Sequence, residues 1–91
     1  MLSLNLTHQA KDFLDQLDPK RFRQVVKKIF SLMEDPRPAD SRPLQGYPFL
    51  RADIGEYRII YRVEEDCLKV ALVDKRNDDE VYKKLGRGDF R

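Results

Sequence analysis

The hydrophobic period of this chain changes once, and that change limits what it can fold into. Between residues 10 and 33 apolar side chains recur at three- and four-residue intervals, whereas between residues 50 and 73 they mostly alternate. Helices and strands present one face at repeats of about 3.6 and 2.0 residues, so one segment cannot serve as both. Four of the five prolines fall in residues 35–48, where the period switches. Proline disfavours helical geometry in the residue before it and has no amide proton for a sheet, so this stretch reads as a loop. The pattern predicts an α+β fold, with a helical hairpin first and an antiparallel meander after the loop. Ninety-one residues suffice for one such unit, read as a single domain over residues 1–91.

An opening strand precedes the helices, because Leu2, Leu4 and Leu6 alternate with Ser3 and Asn5 and predict one buried face. Thr7 is placed to cap a helix carrying Ala10, Phe13, Leu14 and Leu17 on one stripe. Asp18-Pro19 restarts the pattern with Asp18 as N-cap, and Phe22, Val25, Val26, Ile29, Phe30 and Met33 extend the stripe. Past the loop, Leu50, Ala52 and Ile54 form one strand face. Gly55-Glu56 is a tight turn, and Ile59, Tyr61 and Val63 form the next strand's inner face. Glu64-Glu65-Asp66 turns again into the apolar run Cys67 to Val73, which reads as a central strand. Residues 78–85, acidic first and lysine-rich last, predict a short C-terminal helix closed by Gly86. The helices are expected to pack on one face of the sheet.

Composition narrows the function classes. With 41% hydrophobic and 37% charged residues the chain is too apolar for disorder and too charged for a membrane protein. No apolar run approaches the roughly 18 residues of a transmembrane helix, and no signal peptide is expected, which predicts a cytoplasmic protein with no membrane partner. A single cysteine (Cys67) and a single histidine (His8) argue against a disulfide framework and against a Cys- or His-based metal site. Asp12 with Asp15, and the Glu64–Asp66 turn, are accounted for as solvated charges. No glycine-rich phosphate loop is present, so neither a nucleotide cofactor nor a metal is expected.

The meander organises the charge. If Leu50, Ala52 and Ile54 pack under the helices, Arg51 and Asp53 point to the opposite face. Arg58 and Arg62 join them from the next strand, and Lys75 and Arg76 follow from the end of the central one, with Tyr47, Tyr57 and Tyr82 as aromatic neighbours. Cations beside aromatic rings suit single-stranded nucleic acid, which offers phosphates and bases to stack. Lys27 and Lys28, in the basic helical stretch with Lys20, Arg21 and Arg23, are further candidates for RNA phosphates. Ordinary solvation of an exposed sheet face and helix explains the same charges. The net charge of +2 decides nothing between the two.

Three segments carry a resemblance: Leu44-Gln45-Gly46, the GEYRIIY run of residues 55–61, and the DKRNDDEVY run of residues 74–82. Together they resemble the RelE toxins of the RelE/ParE superfamily, and the similarity runs through nearly the whole chain. The resemblance implies a type II toxin, silenced by a cognate antitoxin, that cleaves messenger RNA in the ribosomal A site. It implies a metal-independent endoribonuclease in which the RNA 2′-hydroxyl attacks the adjacent phosphate. By the same resemblance Arg58 stabilises the phosphate, Arg76 stabilises it and protonates the leaving group, Tyr82 stacks on or orients the substrate, and Arg51 is the first of two strand cations. Asp53 departs from the pattern, standing where a second strand cation is expected to act as general base. Either Asp53 is the base here, or activity is lower, or ribosomal RNA completes the site. Two other readings stand beside this one: a ParE-like gyrase-inhibiting toxin without nuclease activity, and a non-catalytic module that grips RNA or a partner.

Overall fold

The computed structural model describes residues 1–76; the expected tail helix, its Gly86 cap and Tyr82 lie outside the described residues. The elements run β1 (Ser3–Leu6), α1 (His8–Asp15), α2 (Pro19–Glu34), β2 (Arg42–Pro43), β3 (Leu50–Ile54), β4 (Tyr57–Glu64) and β5 (Cys67–Lys75). They form one five-stranded mixed sheet in the order β1-β5-β4-β3-β2. The predicted meander is β3-β4-β5, while β1 adds to it in parallel beside β5. Residues 35–48 are not entirely loop, since Arg42 and Pro43 pair with Arg51 and Leu50 as a two-residue edge. Both tight turns use left-handed backbone, at Gly55 in the first and at Glu65 and Asp66 in the second.

The helical hairpin covers one sheet face. Val25, Ile29 and Leu32 of α2 and Ala10 and Leu14 of α1 pack against Ala52, Ile59, Tyr61, Leu68 and Val70. Thr7 caps α1 as expected, its hydroxyl accepting from Ala10 N at 3.2 Å. Asp18 is the N-cap residue of α2 as expected, but its carboxylate makes no cap hydrogen bond and accepts from Arg21 instead, at 3.0 Å. The expected α2 stripe splits in two. Phe22 and Phe30 are exposed, because they stand one stripe round from Val25 and Ile29 and overhang the four-residue edge strand β1. Leu4 of that strand is also exposed, against the expectation of a buried face. Val63, expected inward, is exposed as well: pairing with β3 ends at Tyr61, so β4 has no neighbour on that side beyond it.

A β-bulge decides what the other face carries. Ile60 pairs with Leu72 but Tyr61 pairs with Val70, leaving Ala71 as the extra residue of β5. Leu68, Val70 and Val73 therefore face the helices, while Ala71 and Leu72 join Leu44, Phe49 and Ile60 in a second apolar cluster across the sheet. Simple alternation would put residues 68, 70, 72 and 74 on one side; the bulge moves Leu72 and Asp74 to the other. The start of α1 holds the bulge in place. Thr7 hydroxyl donates to Ala71 O at 2.6 Å, and the Gln9 side chain both donates to Val73 O (3.0 Å) and accepts from Val73 N (3.1 Å). Two side chains thus continue along β5 the pairing that β1 begins.

Candidate active site on the open face of the sheet

The open face is ordered in bands. Register sets Asp53, Arg58 and Asp74 side by side across β3, β4 and β5. The next band holds Arg42, Arg51, Ile60 and Leu72. Arg62 lies four positions along β4 from Arg58, about 13 Å at the usual strand rise. The apolar cluster separates them.

In the charged band, Arg58 donates from Nε to Asp53 Oδ1 at 2.8 Å and from Nη2 to Oδ2 at 3.3 Å, a bidentate fork. Arg76 brings Nη1 to 4.0 Å from the same Oδ2, and its backbone N–H donates to Glu56 O at 2.9 Å, which fixes the chain as it leaves β5. Arg58 is nearly enclosed, with 12% of its side chain exposed, whereas Arg76 is 48% exposed. Asp53 titrates below its ordinary value, chiefly because Arg58 hydrogen-bonds the ionised form; Arg51 and Arg76 add attraction, and burial opposes them. Asp74 is buried and accepts from Lys75 N at 2.8 Å. The group thus gathers three guanidiniums around Asp53, with Asp74 beside Arg58 in register. A recess of about 320 Å³ opens beside it, lined by Pro43, Leu44, Gln45 and Arg51.

Of the residues expected at the site, Arg51, Asp53, Arg58 and Arg76 come together. Arg62 shares their face but not their band: its guanidinium lies 5.5 Å from the Phe49 ring centroid and pairs with Glu64 at 3.0 Å. Lys75 is opposite Tyr57 in register, on the helix side, because the bulge has exchanged the faces. Lys27 and Lys28 belong to α2, across the sheet, and Lys28 is paired with Asp40 at 2.8 Å. Tyr57 is no aromatic neighbour of the arginines; it is buried edge-on against Phe13 at 5.8 Å. Tyr47 is exposed on the proline-rich segment. Asp74 was missed by sequence reasoning, since alternation points it away from this face and only the bulge brings it round. Among the described residues no three His, Cys, Asp or Glu side chains converge to hold a metal ion, and no helix is long and apolar enough to cross a membrane.

A sequence profile described as the ParE toxin of the type II toxin–antitoxin system parDE matches residues 4–80. The chain belongs to the ParE toxin family. It is a toxin of a type II toxin–antitoxin system, within the superfamily that holds both ParE and RelE toxins. Among curated proteins none matches this ParE-family chain. Solved structures that resemble it include RelE toxins and their antitoxin complexes. The RelBE2 toxin–antitoxin complex from Mycobacterium tuberculosis aligns with a TM-score of 0.72 and 26% identity, over 82% of this chain and 98% of that one. The intact Escherichia coli RelBE complex aligns at 0.72 and 25%, over 82% and 96%. The isolated E. coli RelE toxin aligns at 0.74 and 24%, over 96% and 97%, a likeness of fold alone. The ParE-family fold seen here is therefore the one used by RelE toxins.

Proposed function

We propose that this toxin is a RelE-type endoribonuclease that cleaves messenger RNA in the ribosomal A site without a metal. The observation that carries the reading is the convergence of Arg58 and Arg76 on one carboxylate, with Arg51 alongside. Guanidiniums so arranged suit a transferring phosphate, whose charge grows as the 2′-oxygen attacks phosphorus. The O2′–P bond forms, the P–O5′ bond breaks, and a proton passes from the 2′-hydroxyl to the 5′-oxygen, leaving a cyclic phosphate. Arg58, enclosed and fixed, holds the non-bridging oxygens, Arg76 serves them and the leaving oxygen, and Arg51 adds charge at the rim. Tyr82 is assigned to stack on the substrate, and Lys75, Arg62, Lys27 and Lys28 to outlying phosphate contacts. Asp53 is a poor base for the 2′-hydroxyl, since its neighbours hold it below the usual carboxylate range. A site lacking a strong base gains most from a substrate held in reactive geometry, which is the reason to assign it a ribosome-bound substrate.

Primer extension on a defined message, with and without translating ribosomes, tests this. Cuts within codons only when ribosomes are present are expected. A ParE-like activity, inhibition of gyrase without cleavage, is the second reading, favoured by the profile match. Absence of cuts from folded, antitoxin-free protein, together with gyrase inhibition, would establish it instead.

Its cognate antitoxin is assigned a docking face on the helix side. Leu4, Leu6, Phe22, Val26 and Phe30 line a groove of about 240 Å³ beside β1, and Arg23 and Lys27 follow Phe22 and Val26 on the same helix. Exposed rings flanked by cations suit an amphipathic segment with an acidic margin. On this assignment the antitoxin docks across the sheet from the Arg58 band.

A further inference from the structure

Asp53 engages Arg58 through both of its oxygens, on the edge formed by Nε and Nη2, and shares one of those oxygens with Arg76 at 4.0 Å. That edge of a guanidinium is also the one that two non-bridging phosphate oxygens fit, because carboxylate and phosphate offer it the same pair of acceptors. Both anions cannot occupy it together. We propose that Asp53 is an internal counter-anion which fills the phosphate-binding edge of Arg58, and that an RNA phosphate must displace it to bind. The proposal rests on the reading of Arg58 and Arg76 as phosphate ligands.

The asymmetry of the pair says which partner yields. Arg58 has 12% of its side chain exposed and Asp53 has 35%, so the short carboxylate turns outward to water more readily than the guanidinium shifts. Asp53 faces Arg51, Arg58 and Arg76, and all three favour its ionised form. It therefore stays charged throughout the neutral range, and its competition with phosphate does not relax there. Free RNA, whose phosphates arrive unpositioned, meets this competition in full. RNA already fixed against the protein brings its phosphate at high effective concentration and overcomes it. Asp53 in this role is a specificity-determining residue, not a catalytic one.

The test uses the full chain and a short RNA made uncleavable by a 2′-deoxy substitution, with binding followed by fluorescence anisotropy at fixed salt. Asp53→Asn keeps the shape and removes the charge, and Asp53→Ser removes both, which guards against a fault peculiar to one variant. Each is expected to bind the RNA about tenfold tighter than the unsubstituted toxin. The gain is expected to vanish in an Arg58→Ala background, whereas a mere increase in net charge would persist there. Asp12→Asn, a comparable charge change on the exposed side of α1, is expected to give less than a twofold effect. Unchanged or weaker binding by both Asp53 variants, with Arg58→Ala still reducing affinity, would overturn the counter-anion role and leave Arg58 as a phosphate ligand. If Arg58→Ala binds as well as the unsubstituted toxin, the phosphate reading fails and takes this inference with it.

Discussion

Arg58 and Arg76 face the same carboxylate under different constraints, and substitutions at the two carry different information. Arg58 is enclosed and bonded, so truncating it leaves Asp53 without its main partner and disturbs the band as well as the chemistry. Arg76 is half-exposed and meets Asp53 at 4.0 Å, without the bidentate bonding of Arg58, so it is the cleaner probe. Arg76→Ala is expected to lower the single-turnover cleavage rate on ribosomes about 100- to 1000-fold, the usual cost of removing one charged stabiliser of a transition state. Its unfolding free energy is expected to stay within about 0.5 kcal/mol of the parent, as for exposed ion pairs generally. Arg62→Ala, an equal loss of charge at the far end of β4 from Arg58, is expected to change that rate less than tenfold. A comparable loss at both positions would mean that overall charge, not the Arg58 band, carries the chemistry.

At the scale of elements, the start of α1 and the bulge in β5 form one device. Thr7 caps the helix with one hydroxyl interaction and satisfies the Ala71 carbonyl with another, while Gln9 pairs with Val73. Thr7→Val is close in shape but loses both bonds. The lost cap and the orphaned carbonyl together should cost about 2 kcal/mol, or about 10 °C in Tm for a domain of this size. Thr7→Ser retains the hydroxyl and is expected to recover most of that loss; thermal unfolding of the pair decides the matter. The outward stripe of α2 supports a separate expectation. Phe22→Ser with Phe30→Ser should leave Tm nearly unchanged, since both rings are exposed, and should weaken antitoxin binding at least 100-fold in a calorimetric titration. An unaltered antitoxin affinity would move the docking face elsewhere.

Across the molecule, acid stability follows from carboxylates paired on both sides of the sheet. Asp53 is held low by Arg58, Asp18 by Arg21 and Asp40 by Lys28. A carboxyl whose folded pKa lies below its unfolded value binds protons more readily when the chain unfolds. The stability it contributes is complete above the unfolded value, near 3.8, and is lost as pH falls through the folded one. The melting temperature is therefore expected to be flat from pH 7 to about 5 and to fall steeply below 4. Asp53→Asn should make that fall shallower, which a pH series of thermal melts would show. At the alkaline end Tyr61 works in the opposite sense. Burial raises its pKa, so the stability it contributes is complete below the ordinary value of 10.0 and declines as pH rises through the folded one. Its hydroxyl donates to Pro36 O at 2.6 Å and ties the proline-rich segment to the core.

Local pattern determined the elements, because the information needed lies within a few residues. The stripe Ala10, Phe13, Leu14 and Leu17, the Thr7 cap, the Asp18-Pro19 restart and the turns at Gly55 and Glu65 are all short-range statements. The same reading put Arg51, Asp53 and Arg58 on one face correctly, since alternation in β3 and the first half of β4 is undisturbed. It failed where the deciding contact is remote in sequence. The bulge at Ala71 is held from Thr7, sixty-four residues away, and it moves Asp74 to the arginines and Lys75 to the helices. The exposure of Phe22, Phe30 and Leu4 depends on how short an edge strand lies beneath them, which no helical wheel records. Residue type and period sufficed to predict a cationic sheet face opposite a helical hairpin; only the tertiary fold decided which cations share a carboxylate, because register and bulges are set by the strands' partners.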